Sequence, residues 1–252
     1  MFKYLYVLLT LSLIISSLSF GQTFHINING GYSFPASSSI IGVTRTWDNN
    51  TMETDKNIYG SYGRGVNIEG AVEMMISENI GIELGVLNNF GSTYEISTSY
   101  KSINNSILFE TEKFSSHYWG INPAVTISSK INVLTPYIKF GVLMGFPELK
   151  RVYWDEWATS FDYSGGMSFG YTGALGVSLG RGWGKFLCEV KIISMVWNPT
   201  KVHVSSNVNH LLYDQDLTNS ITYKQEPAIN QGLTTAVNFN SISLNIGVQL
   251  IL

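Results

Sequence analysis

From Thr23 onward the chain sets an apolar side chain at every second position, run after run, and no long segment shows helical spacing. A period of two is the mark of a strand whose faces meet different surroundings. In the first run Phe24, Ile26, Ile28, Tyr32 and Phe34 share one face, with His25, Asn27, Asn29, Gly31 and Ser33 on the other. The second sets Val66, Ile68, Val72, Met74 and Ile76 against Asn67, Glu69, Ala71 and Glu73. The third sets Ile80, Ile82, Leu84 and Val86 against Gly81, Glu83 and Gly85, with a continuation through Tyr94 and Ile96. Further runs cover 118–127, 136–146, 168–179, 186–196 and 241–252, which makes eight predicted strands.

The connections alternate as well. Ser77–Asn79, Ser129–Asn132 and Arg181–Gly184 are tight, whereas 36–62, 98–113, 148–166 and 199–236 read as long polar loops. Short and long links in succession imply antiparallel neighbours in an up-and-down meander with one plain end and one elaborate end. The expected fold class is all-β, an eight-stranded antiparallel barrel, in a single domain over residues 22–252.

Alternation does not say which face points inward. A soluble barrel keeps apolar side chains inside, and a membrane barrel turns them out. The polar face here carries Gly, Ala, Ser, Thr and Asn, which suits a narrow lumen better than a solvated surface. Charged residues are only 13% of the 252 residues, about half the usual share for soluble domains. The apolar face persists long enough to cross a bilayer at a tilt, for which roughly 9–11 residues suffice. Tyr32, Phe34, Trp119, Phe146 and Trp197 gather toward one end and Phe24 and Phe186 toward the other, as interfacial girdles do. A mean hydropathy of +0.10 is too low for a bundle of membrane helices.

The first 21 residues read as an export signal. Lys3 precedes the apolar stretch "YLYVLLTLSLIISSLSF", and Ser19 and Gly21 supply small residues for cleavage before Gln22. The alternative, an uncleaved anchor, would want a basic flank that the sequence does not supply. A formal net charge of −3 gives no reason to expect nucleic acid as a partner. Cys188 is the single cysteine, so neither an internal disulfide nor a cysteine zinc site is expected.

The signal ending "SFGQ", the strands "LTPYIKFGVLMGF" and "FGYTGALGVSLG", and the closing "SISLNIGVQLIL" carry a resemblance. The chain resembles the eight-stranded outer-membrane barrels of the OmpA, OmpX and OmpW kind, and in particular the outer-membrane β-barrel domain family of Bacteroidota. That resemblance implies a Gram-negative outer membrane, contact with outer-membrane lipid, and a closing strand read by the barrel-assembly machinery. Leu252 stands where a terminal aromatic is the commoner ending.

Glu69, Glu73 and Glu83 are unusual in otherwise apolar strands. Ile76 and Ile80 flank a tight turn, and the simplest register then sets Glu73 opposite Glu83, both toward the lumen. Two carboxylates in a confined space call for a cation between them, and Lys139 and Lys191 share the inward parity, as do Glu189 and Tyr137. A carboxylate pair suits acid–base work or a metal. An eight-stranded barrel, however, holds side chains and little else. The expectation is therefore a polar lumen network of Glu69, Glu73, Glu83, Tyr137, Lys139, Glu189 and Lys191, with no catalytic residue, metal or cofactor. "RVYWDEWATSFDY" offers Tyr153, Trp154, Trp157, Phe161 and Tyr163 as surface-loop candidates for contact with a glycan or an envelope protein. His117, His203 and His210, with Ser205, are the residues an enzyme reading would need. The expected role is structural or interaction-based in the envelope. The alternatives are a narrow porin-like conduit for small hydrophobic molecules and a lipid A-modifying enzyme.

Overall fold

Each alternating run becomes a strand in the computed structural model, which describes residues 23–36, 39–48, 51–101, 107–131, 133–154, 158–206, 212–216 and 236–252. The expected signal segment lies outside the described residues. The barrel strands are β1 (Phe24–Pro35), β2 (Gly65–Met75), β3 (Ile80–Gly91), β4 (Ile107–Ser128), β5 (Leu134–Trp154), β6 (Ser168–Leu179), β7 (Gly184–Trp197) and β8 (Ser241–Ile251). Each pairs antiparallel with the next. The last pairs with the first, from His25 opposite Ile251 to Pro35 opposite Ser241. Closure leaves no unpaired strand edge at membrane depth, where no water could satisfy backbone N–H and C=O groups.

The two faces of this sheet differ sharply. Ile68, Leu84, Phe140, Leu175 and Ile246 point outward and stay largely exposed, while Asn27, Glu69, Thr172 and Ser243 point inward and are buried. A contiguous apolar outer band of this kind is stable only against lipid, so the barrel is transmembrane. At its upper rim Trp119 and Phe146 stack with ring centroids 4.3 Å apart on the outer face. Trp197 does not join that girdle. Its neighbour Val196 takes the outward position, so Trp197 points inward, is buried, and donates its indole N–H to the Gly165 carbonyl at 2.9 Å.

Among the described residues the long connections are largely strands, which corrects the loop reading. β4 and β5 have 22 and 21 residues, about twice what a bilayer requires. Beyond Trp119 and Phe146 they rise out of the membrane. Tyr94–Lys101 pairs with the far part of β4, and Ala158–Ser164 with that of β5. Lys201–Ser206 and Leu212–Asp216 follow in order, and Ser39–Asp48 forms a separate hairpin with Thr51–Gly60. The reason is a change of phase. Above the membrane the outer face meets water, so Glu95, Glu148, Lys150, Lys201 and His203 face out while Ile96, Phe114, Leu149, Tyr163, Val202 and Val204 are buried inside. A pattern that is apolar outside becomes apolar inside within the same strand, so the alternation inverts there and does not end.

Candidate functional site

The lumen is the place where this fold concentrates chemistry, and register fixes what enters it. Glu73 lies directly across from Glu83 in the β2–β3 ladder. Inward glycines make room for the long side chains beside them. A Cβ added at Gly85 would come within 3.0 Å of the Glu69 carboxylate, and one at Gly176 would overlap the Tyr137 ring.

The seven residues expected in the lumen are all buried, and six of them meet in one network. Lys139 Nζ donates to Glu83 at 2.7 Å and lies 3.7 Å from Glu189. Lys191 Nζ donates to Glu69 and stands 4.0 Å from the other oxygen of Glu189. The charges therefore form one ladder, Glu83–Lys139–Glu189–Lys191–Glu69, with Glu189 shared between the lysines. Tyr137 donates its hydroxyl to Glu189 at 3.2 Å. Glu73 stands apart from both lysines and meets the His25 ring instead, Nδ1 to Oε2 at 2.9 Å.

Several members of this network were not singled out from sequence. Asn27 donates to Glu83 at 2.7 Å, Asn122 to Glu69 at 3.3 Å, and Asn245 to Glu189 at 3.4 Å. Thr172 donates to Asn122 at 2.9 Å, and Gln249 to Glu73 at 3.5 Å. All share the inward parity, and that was the available signal. Buried charges are tolerable when paired and hydrogen-bonded in this way.

Above the ladder the interior turns apolar. Phe239 is fully buried, with ring centroids of Tyr118 at 5.5 Å, Trp197 at 6.2 Å and Tyr62 at 6.3 Å. It is carried inward by a short segment that hydrogen-bonds to β7: the Phe239 N–H donates to the Met195 carbonyl at 2.9 Å, and the Met195 N–H to the Asn240 side chain at 2.8 Å. Leu87, Leu143, Ile193 and Met195 complete the packing. Burial pushes the Tyr62 phenol above its ordinary range, so it stays neutral in the cluster. Higher still, the buried Arg151 donates to Glu112 at 2.6 Å. Phe239 shares its parity with the buried Val237 and Ser241, but that run is too short for the alternation to mark it in the sequence.

The aromatic candidates of the projecting part are differently placed. Tyr163 is buried and Phe161 half-buried against the internal cluster, so these two are packing residues and not an exposed surface. Tyr153 is half-buried at an inward position. Trp157 and the Trp154 side chain lie outside what is described. His117 contacts the Asn88 side chain at 2.7 Å, His203 and Ser205 lie on the strand Lys201–Ser206, and His210 is outside the described residues.

A closed eight-stranded barrel with an apolar outer band and a charged lumen defines the class, a transmembrane β-barrel with the fold of outer-membrane proteins. Three solved structures are similar to it. A major outer membrane protein from Thermus thermophilus matches with a TM-score of 0.52 at 9% identity, over 92% of this chain and 100% of that one. The outer membrane protein OprG from Pseudomonas aeruginosa matches with a TM-score of 0.43 at 12% identity, over 91% and 95% of the two chains. AlkL, solved in lipid bilayers, gives 0.34 at 8% identity, over 92% and 89%. The likeness is one of fold, and it rests on the first of these. No protein-family model matches the chain, and no curated protein matches it.

Proposed function

We propose that this chain is a closed barrel of the Gram-negative outer membrane, exported by its N-terminal signal, which serves the envelope through the strands it projects beyond the membrane. One observation carries the reading. The lumen is obstructed at two levels, by the ionic ladder through Glu189 and by the aromatic cluster around Phe239. Paired charged side chains occupy the first level and buried aromatic rings the second, which supports a closed reading. A role through the projecting part fits this closure, with an envelope protein or a glycan as the partner class. The reading is non-enzymatic.

Planar-bilayer recording of the purified barrel is the test. The native protein gives no steady channel, while Phe239→Ala gives brief openings if the cluster is the upper seal. A steady conductance from the native protein would overturn the closed reading in favour of the conduit. Mass analysis of lipid A from cells with and without the chain tests the enzyme reading, and an unchanged acyl pattern is expected.

A further inference from the structure

Just before β2 the chain makes a tight turn, "SYGRG", whose one exposed long side chain is Arg64. The Arg64 N–H donates to the Ser61 carbonyl at 3.2 Å, the Gly63 N–H to the Ser61 hydroxyl at 3.1 Å, and the Ser92 N–H to the Arg64 carbonyl at 2.8 Å. Both flanking glycines are required. A Cβ at Gly63 would run into the Phe239 carbonyl and one at Gly65 into the Phe90 carbonyl, and Gly65 has a φ of +148°. The turn is therefore a fixed mount. It presents Arg64 on the outer face, one outward position above the exposed Val66.

The side chain is held as well. Its Nε donates to the Tyr32 hydroxyl at 3.1 Å, and the guanidinium lies over the Tyr94 ring, 5.7 Å from the centroid. Tyr32, having accepted that bond, has its own proton for Ser92 Oγ at 3.2 Å. That leaves Nη N–H groups and the Ser92 hydroxyl proton for an incoming oxygen. No carboxylate among the described residues pairs with Arg64, and Glu95, beside Tyr94, is bridged to Lys113 at 3.2 Å. A guanidinium fixed at its base with donors to spare is pre-organised for a phosphate. Phe34 and Phe90 are exposed on the same outer rim, which puts Arg64 at the height of lipid headgroups.

Below Arg64, on β1 and β2, the outer face loses its side chains. Gly30 of β1 lies opposite Ile68, and Gly70 of β2 opposite Ile28. A Cβ at Gly70 would meet nothing within 4 Å, and one at Gly30 only the Asn67 carbonyl at 3.7 Å. Neither glycine sits in a turn or has a positive φ, so no contact within the chain calls for them. A mid-strand glycine weakens a sheet and often marks where something else approaches closely. Gly70 lies six residues below Arg64, about 20 Å along the strand and about 15 Å in depth at a tilt near 40°. Both glycines thus fall within one leaflet, half of a hydrocarbon core of about 30 Å.

We infer that this strip of β1 and β2 is a specific site for one lipid with an anionic phosphate head. The phosphate sits on the Arg64 Nη groups and the Ser92 hydroxyl, and an acyl chain lies over Gly30 and Gly70. In barrels of this kind the short turns face the periplasm, so the lipid belongs to the outer leaflet. Free phosphate would lack the chain contact, and a neutral lipid would lack the charge. The site faces the membrane and not the lumen, so it stands independently of the closed reading above.

The test is native mass spectrometry of the full chain released from detergent, with phosphatidic acid, diacylglycerol of the same chains and inorganic phosphate as probes. One phosphatidic acid binds per barrel, at least about tenfold tighter than diacylglycerol or inorganic phosphate. Arg64→Gln, at an exposed position, abolishes the preference over diacylglycerol. Gly30→Leu with Gly70→Leu weakens phosphatidic acid by a similar factor. Gly173→Leu, at an outward glycine of β6 with equally open space about its Cβ position, leaves it unchanged. Folding of each variant is checked by the gel shift between heated and unheated samples. Several equivalent lipids per barrel, an undiminished preference in Arg64→Gln, inorganic phosphate bound as tightly as the lipid, or an equal effect of Gly173→Leu overturns the inference and leaves an ordinary lipid annulus.

Discussion

Lys139 and Lys191 divide the lumen acids between them, and the division says what each substitution costs. Lys139 holds Glu83 and touches Glu189, so Lys139→Met leaves two buried carboxylates facing one another. Breaking a buried pair from one side costs about 3–5 kcal/mol. Urea unfolding of the refolded barrel in detergent should show a loss of that size, with part of it recovered in Lys139→Met with Glu83→Gln. If the single variant were as stable as the native chain, the ladder would not be what fills the lumen. Tyr118 makes the opposite case. It is fully buried and its hydroxyl has no partner among the described residues, so Tyr118→Phe removes an orphaned polar group worth about 1–3 kcal/mol. The same urea curve should therefore stay unchanged or move to higher denaturant, and a clear loss would mean that the hydroxyl has found a partner.

The elements separate into those that lipid dictates and those that water dictates. Within the bilayer one face of every strand must be apolar, so the alternation is strict, and the eight strands, their facing and the Glu73–Glu83 register could be read from sequence. Choice of partner could not. Register sets neighbours along the sheet, but Lys191 reaches Glu69 across the lumen, and that depends on side-chain length and on where glycines leave space. The projecting strands were read as loops because their alternation changes phase: Glu148 and Lys150 face out while Leu149 faces in. The hairpin Ser39–Gly60 belongs to this second regime, since Ile41 is buried in the internal cluster and Ile58 packs against it. Replacing 39–60 by a short Gly-Ser turn should leave the membrane barrel folded, seen as a retained shift between heated and unheated samples on a gel. The projecting strands should become sensitive to protease, having lost a wall of their core. A barrel that no longer folds at all would show that the two regimes are one cooperative unit.

The whole molecule is a membrane barrel below and water-facing strands above, with one interior that changes from charged to apolar between them. Its position in the bilayer follows from where the outer face changes, and Cys188 marks it. This side chain is exposed on the outer face of β7, between the likewise exposed Phe186 and Val190. In water an exposed thiol reacts readily, but a charged reagent does not partition into hydrocarbon. A sulfonated maleimide should therefore fail to label Cys188 in nanodiscs and label it fully in urea. Glu148→Cys in a Cys188→Ser background should label at once in the folded state, because Glu148 lies on the exposed face of β5 beyond Phe146. Labelling measured by mass over minutes separates the two positions. Equal rates at Cys188 and at the introduced cysteine would put the β7 face in water, and with it the apolar band that makes this chain a transmembrane barrel.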